Sequence, residues 1–441
     1  MSRMPKVTII GAGSVEFTID VLSNILSFDD LQDVSVVLHD IDEQRLETAG
    51  IIGDRINAAK GGRATIGTEL DRRKALDGSD YAINEIQVGG RDAFLIDFAI
   101  PSRYGVRQTI ADTLGIGGIS RGLRTLPVLI DIANDMADVC PDATLLNFTN
   151  PMAMAPWAVY EGSRFERVVG LCHSVFYTHE FLAETVGVPM DQIAFQTSGF
   201  NHQAFVTRFE RDGEDLYPRL DAAIEADPEG LGRRVRVRLY RELGYFPTES
   251  SEHSAEYVSW FMRHDEQIER FRIPVDDYIG RTEEALADYR EIVRKLAAGE
   301  PVDATPGSEL ASDIIHSIET GTPRALYANV KNTGLIPDLP DGCCVEVPCL
   351  VDRAGVQPTA VPARPAHLTA MNRTFLNVVE LTVRAVLDGD RQQVYRAAML
   401  DPNTAATLTL DQIHDMVDDL IEAHGDMVPE AIRRGSTRRT N

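Results

Sequence analysis

A cysteine and a histidine stand side by side in GLCHSV, as Cys172 and His173. A second histidine follows an asparagine in SGFNHQAF, as Asn201 and His202. A soft thiolate and an imidazole make a donor set for a divalent transition metal that keeps positions open for a substrate. Each residue also has a plainer role. A buried cysteine packs as a small hydrophobe, and a single histidine is more often a satisfied core or surface group than a ligand. The chemistry depends on whether the fold brings residues far apart in sequence to one place.

The elements that would do so alternate. PKVTII at 5–10 is a β-branched apolar run that passes through Gly11-Ala12-Gly13 into a helical pattern carrying Phe17, Val21, Leu22 and Ile25 on one face. Further strand candidates are VSVVLHDID at 34–42, DYAINEIQVGG at 80–90, ATLLNF at 143–148 and RVVGLC at 167–172, with helical segments rich in Ala, Arg and Glu between the first three. Such alternation predicts a doubly wound parallel sheet. Ligands bind such sheets at the carboxyl ends of the strands, which is where Asn147 to Asn150 and the pair Cys172-His173 fall. Beyond about residue 195 the pattern predicts long helices at roughly 283–298 and 368–388 and a strand within 342–352. It also predicts a helix through Ile413, Met416, Val417, Leu420 and Ile421 that stops at Gly425, its acids on a solvated face. Adjacent Cys343 and Cys344 lie in the strand-like segment and read as core, because neighbours on a strand point to opposite faces. With no linker-like tract between them, the two parts are expected to pack tightly.

The turn Gly11-Ala12-Gly13-Ser14 opens a helix, so its small residues and backbone N–H groups suit a pyrophosphate. The fingerprint is incomplete, since Glu16 stands at the third glycine of G-x-G-x-x-G. A βα turn that merely needs glycine would look the same. The second strand, however, ends in Asp40, the usual acceptor for the adenosine ribose of NAD, and no arginine follows at once to receive a 2′-phosphate. NAD is therefore expected in preference to NADP, with Asp40 and Asp42 both available.

Composition excludes other classes. The 441 residues carry 43 basic and 68 acidic side chains, a formal charge of −25, and the longest basic concentration is the tail Arg433, Arg434, Arg438, Arg439. Phosphate backbones need a concentrated positive surface, so nucleic acid is not an expected partner. No apolar run has membrane-spanning length, and the N-terminus enters a strand without a signal-peptide core. Five cysteines without framework spacing fit reduced thiols. These features point to a soluble cytoplasmic protein of two parts.

Six stretches together carry a resemblance: VTIIGAGS, ADTLGIGGISRGLRTLP at 111–127, LLNFTNPMAM at 145–154, GLCHSV, GFNH at 199–202 and TESSEHSAEY at 248–257. Over essentially the whole chain they resemble the glycoside hydrolase family 4 enzymes. CHSV, GYFPTESSEH at 244–253 and DGCCVEVPCLVD at 341–352 are similar to the bacterial α-galactosidase, or melibiase, branch. Phospho-glycosidase members have an aspartate or asparagine after the cysteine, so His173 argues against a 6-phosphosugar.

The resemblance implies a Rossmann-type α/β domain of the lactate and malate dehydrogenase kind at 1–195 and a C-terminal α+β substrate domain at 196–441, with the active site between them. It implies NAD and a divalent metal, typically Mn²⁺, instead of two flanking carboxylates. Hydride leaves C3 of the galactosyl ring, a base takes the acidified C2 proton, the C1–O bond breaks by elimination, water adds at C1, and the ketone is reduced again, without net redox change. Position by position, Cys172 and His202 match the metal ligands, His173 stands where the leaving group is assisted, and Asn150 touches sugar hydroxyls. Asn201 and Arg121 are further substrate-binding candidates. Asp112, Gly115, Gly117 and Gly118 fall in a loop placed over cofactor and substrate, with Arg121 or Arg124 orienting oxygens. The plainer reading is a helix start capped by Asp112 with both arginines on its solvent face. The proton-abstracting base falls among Glu252, His253 and Tyr257, with His253 and Tyr257 the named candidates, although Tyr257 equally fits an ordinary helix-face aromatic. Family members are usually homodimers or homotetramers.

Other readings stay open. One is an NAD-dependent 2-hydroxy acid dehydrogenase, which leaves the metal pair without a role. Another is a family 4 α-glucosidase or α-galacturonidase, and a third is a catalytically silent regulator that senses NAD.

Overall fold

The computed structural model describes residues 4–307 and 309–435, and Arg438 and Arg439 of the basic tail lie outside them. One sheet runs through the molecule. Its strands are β1 (Lys6–Ile10), β2 (Ser35–His39), β3 (Thr65–Glu69), β4 (Tyr81–Asn84), β5 (Thr144–Asn147), β6 (Val168–Gly170), β7 (Ala194–Phe200), β8 (Gln203–Arg211), β9 (Glu214–Asp215), β10 (Phe246–Pro247), β11 (Arg324–Lys331), β12 (Cys344–Asp352) and β13 (Gly355–Pro358). The path of the sheet is β3-β2-β1-β4-β5-β6-β11-β12-β7-β8-β10, with β13 beside β12 and β9 beside β8. From β3 to β6 every pairing is parallel. From β6 onward every pairing is antiparallel.

The parallel half is the Rossmann order, and its strands are apolar because helices cover both faces. Val7, Ile9, Val36, Leu38, Ile83, Leu145 and Leu146 are all completely buried. Strand β3 was not foreseen: TIGTE has little apolar content, as befits an edge strand whose side chains stay half-exposed. The 80–90 candidate ends as a strand at Asn84, and Gly90 already begins the helix Gly90–Arg103.

The two halves share a seam. Gly170 of β6 pairs with Asn329 of β11, and a Cβ at Gly170 would stand 2.6 Å from Met152 Sδ and 2.8 Å from Asn329 Cβ. Only glycine fits so close an approach. Helices from the C-terminal part return over the N-terminal part. The helix Leu410–His424 is tied to the helices Gly90–Arg103 and Gly115–Val139 by a fully buried network. In it Arg124 donates two hydrogen bonds to Asp97, at 2.6 and 3.0 Å, and His424 Nε2 lies 2.9 Å from both Asp97 and Ser120. Arg124 is thus 1% exposed and Arg121 8%, so neither stands on a solvent face. Gly115, Gly117 and Gly118 lie in the first turns of their helix, not in a loop. Cys343 and Cys344 are both fully buried and unbridged.

Candidate active site

Three turns at the seam converge. Cys172 follows β6, His202 occupies the tight turn between β7 and β8, and Glu249 follows β10. Cys172 Sγ lies 3.7 Å from His202 Nε2, and Glu249 Oε2 lies 2.9 Å from the same nitrogen. The three ligand atoms fall within 4.8 Å of one another. His202 and Glu249 have positive φ, 64° and 79°. Such conformations in non-glycine residues cost about 1–3 kcal/mol and collect at functional sites. Arg236, sandwiched against Phe181 and Phe246, steadies the turn by donating from Nη1 to the Glu249 carbonyl at 3.2 Å.

The electrostatics of the cluster favour a cation. Burial alone would depress His202, yet the Glu249 carboxylate and the Cys172 sulfur hold its pKa well above the imidazole value. Burial alone would raise Glu249, but the positive charge it attracts on His202 holds it far below the carboxylate range. A cysteine sulfur, an imidazole nitrogen and a carboxylate oxygen this close together form a donor set that fits a borderline divalent metal.

A second layer orients these ligands. Tyr257 places its hydroxyl 2.7 Å from His202 Nδ1 and 2.7 Å from His253 Nδ1. His253 Nδ1 also lies 3.0 Å from Glu256 Oε1. Glu256 in turn accepts hydrogen bonds from the backbone N–H groups of Thr109, Ile110 and Ala111. This fixes the loop before Asp112 against the short helix Ser251–Tyr257.

The cluster opens into a cavity of about 720 Å³ lined by Asn150, His173, His253, Glu252, Phe148 and others. Asn150 donates to Asp112 Oδ2 at 2.9 Å, while its amide oxygen is buried without a hydrogen-bond partner among the described residues. A sugar hydroxyl would satisfy it. His173 presents Nε2 at 3.5 Å from Glu309 Oε1 and stacks between Phe148 and Tyr177. Burial, with the nearby Asp20, pushes Glu309 up to about 8.

The structure gathers Cys172, His202, His173, Asn150 and His253 at this cavity. It places three other candidates behind its wall. Tyr257 and Asn201 are completely buried and do not line it. Arg121 supports Asn150 from below, donating from Nε to its carbonyl at 3.2 Å. Asp112, which the sequence offers as a cap, instead binds Asn150 and Thr113, faces His253 Nε2 at 3.8 Å and makes no cap bond. Glu249 and Glu309 were missed. The positive φ at Glu249 has no sequence signature, and Glu309 reaches His173 only through the fold.

The dinucleotide turn also resolves. Asp40 accepts from the Gly13 N–H at 2.8 Å, whereas Asp42 caps the helix Glu43–Ala59 through the Arg45 N–H. A Cβ on Gly13 would stand 2.6 Å from the Asp40 carboxylate, so glycine there keeps the acid against the turn. Ser14 precedes the helix Val15–Ile25 as its exposed N-cap, beside Gly11 and Ala12.

Comparison with known proteins matches residues 6–188 to a family 4 glycosyl hydrolase model. Residues 197–404 match the family 4 glycosyl hydrolase C-terminal domain. An α-galactosidase of Bacillus subtilis (strain 168) is 40% identical over 97% of this chain and 100% of its own length. An α-galactosidase of Rhizobium meliloti (strain 1021) is 34% identical over 96% of this chain and 89% of its own. Among solved structures, a 6-phospho-α-glucosidase from gut microorganisms, in complex with NAD and Mn²⁺, shares the fold at a TM-score of 0.82 and 20% identity. The match covers 97% of this chain and 100% of that one.

Proposed function

This chain belongs to the family 4 glycosyl hydrolases, and on that premise we propose that it is an α-galactosidase. It hydrolyses terminal α-galactosides such as melibiose by oxidation at C3, elimination across C1–C2, addition of water and re-reduction. When bound, NAD supplies reversible hydride transfer at C3 and a divalent ion such as Mn²⁺ supplies Lewis acidity at the sugar oxygens. Cys172, His202 and Glu249 would hold the ion; Gly11, Ala12, Gly13, Ser14 and Asp40 would hold the dinucleotide, Asp40 at the adenosine ribose.

The remaining steps fall to side chains around the cavity. The free amide oxygen of Asn150 accepts from a ring hydroxyl and orients the sugar, with Arg121 and Asp112 fixing Asn150 from behind. His253, with Nδ1 engaged by Glu256 and Tyr257, turns its Nε2 toward Asp112 and the cavity and takes the C2 proton. Tyr257, being buried, positions both histidines instead of touching sugar. His173 gives a proton to the departing glycosidic oxygen, its ring held by Glu309 and the flanking aromatics.

The observation that carries this reading is the Cys172–His202–Glu249 cluster opening into the cavity that also holds His173 and Asn150. Two α-galactosidases among the relatives support the sugar. Family membership removes the ground for the hydroxy acid dehydrogenase, which has no use for the cluster. A cytoplasmic setting, in keeping with five free cysteines, and assembly as a homodimer or homotetramer belong to the same proposal. Among the described residues no helix is long and apolar enough to cross a membrane.

Cofactor-stripped protein tests the proposal with nitrophenyl α-galactoside and add-back of NAD⁺, Mn²⁺ and reductant. Turnover only with NAD⁺ and metal together, and not on the α-glucoside, α-galacturonide or β-galactoside, is the expected result. Turnover without them would overturn the mechanism; preference for another sugar would overturn the substrate.

A further inference from the structure

The helix Asp277–Ala297 lies across the dinucleotide turn with little of its surface packed away: of its 21 residues only Leu296 is fully buried. It is amphipathic, with Tyr278, Ala285, Tyr289, Ile292 and Leu296 on one stripe. A helix this long spans roughly 30 Å, enough to reach along a bound dinucleotide.

Its anchors come from the dinucleotide-binding half. At its start the Asp276 and Tyr278 N–H groups donate to Gln108 and Thr109, at 2.9 and 3.1 Å, just ahead of Asp112. Arg91, in the first turn of the helix that follows β4, donates from Nε to Glu283 at 2.7 Å. Arg45, in the first turn of the helix that follows β2, lays its guanidinium 4.7 Å from the Tyr289 ring centre, while its Nη1 donates to the Gly13 carbonyl at 3.1 Å. Arg55, farther along that helix, donates to the Leu296 carbonyl at 2.8 Å. The helix therefore runs from the segment ahead of Asp112, past the Gly13 turn, to Arg55.

We propose that the helix Asp277–Ala297 is a strap over the bound dinucleotide, with Tyr289 and Arg45 closing over the Gly13 turn. The proposal rests on the NAD reading above. That chemistry reduces and reoxidises one cofactor molecule within each turnover, so escape of the reduced form would leave an oxidised sugar and an inactive enzyme. A helix tethered mainly by side chains, with little buried surface, can lift to admit the dinucleotide and settle to retain it.

The test is the release rate of NADH from the full chain with Mn²⁺, followed by NADH fluorescence after mixing with excess NAD⁺. Wild type is compared with Tyr289→Ala and with Tyr289→Ala/Glu283→Gln. The strap requires release about tenfold faster in the double variant, with Mn²⁺ binding by electron paramagnetic resonance and the unfolding temperature of the cofactor-free protein near wild type. Release within about twofold of wild type in the double variant overturns the strap. A lowered unfolding temperature with unchanged release also overturns it, since Tyr289 would then be ordinary packing. Failure of wild type to bind NADH overturns the cofactor reading itself, and the strap with it.

Discussion

The Tyr257 hydroxyl and His202 Nδ1 stand 2.7 Å apart, although 55 residues separate them in sequence. The contact decides which nitrogen of His202 faces the cavity. When Nε2 serves as a ligand, Nδ1 carries the proton and donates it to the tyrosine oxygen, which fixes both tautomer and ring orientation. Removing only that oxygen, by Tyr257→Phe, leaves the buried ring and its packing in place. Mn²⁺ affinity, read by electron paramagnetic resonance, is expected to fall about 10–100-fold with little change in thermal stability. Unchanged affinity would remove the positioning role.

Glu249→Gln keeps the size of the side chain and removes its charge. Because Glu249 Oε2 lies 2.9 Å from His202 Nε2 in the cluster with Cys172, Mn²⁺ binding should weaken by at least about tenfold. NADH binding at the Gly13 turn should not change. Loss of both together would mean that Glu249 holds the fold and not the ion.

His173 can be separated from the rest of the machinery by the leaving group. A proton donor matters most when the departing oxygen is basic. His173→Gln should therefore lower kcat on melbiose-type disaccharides by about 10²–10⁴-fold, and spare much of the activity on nitrophenyl α-galactoside. Equal losses on both substrates would assign His173 another task.

Glu309 makes stability depend on pH. Its carboxyl is pushed up to about 8 in the folded protein, first by burial and then by Asp20, from an ordinary value of 4.5. Its Oε2 is buried without a hydrogen-bond partner among the described residues. The protonated form is the one the fold prefers, so the contribution is complete below pH 4.5. It is lost as pH rises through the window up to about 8. Glu309→Gln, which stays neutral, should match wild type near the acid end and exceed it by on the order of 2 kcal/mol near the alkaline end. Urea unfolding of the cofactor-free protein at both ends of the window measures the difference, and a gap independent of pH would contradict the assignment.

Much of this molecule was legible in the chain. The parallel half is written in buried strands that are apolar throughout and in a glycine turn that opens a helix, because a sheet covered on both faces tolerates little else. The helices at 366–388 and 410–424 follow from their spacing, and the second stops at Gly425 as read. The edge strand Thr65–Glu69 was hidden, since an edge needs no apolar run. Cys172, His173, Asn150 and His202 could be named from motifs because each sits at a strand end or in a tight turn, where local sequence is constrained.

The sequence by itself determined which chemical groups are present and which strand ends and turns carry them. Their relative positions were decided only when the antiparallel strands of the C-terminal part joined the parallel sheet at Gly170 and Asn329. That seam sets Glu249 beside Cys172 and His202, buries Tyr257 behind the cluster, and leaves His253 at the cavity wall. Asp40 and Asp42 are told apart in the same way, the first meeting the Gly13 N–H and the second capping a helix. The reason is physical: a ligand set is defined by distances of a few ångströms between residues far apart in the chain. Local propensity fixes each turn, but only the packing of the two halves fixes the distance between turns.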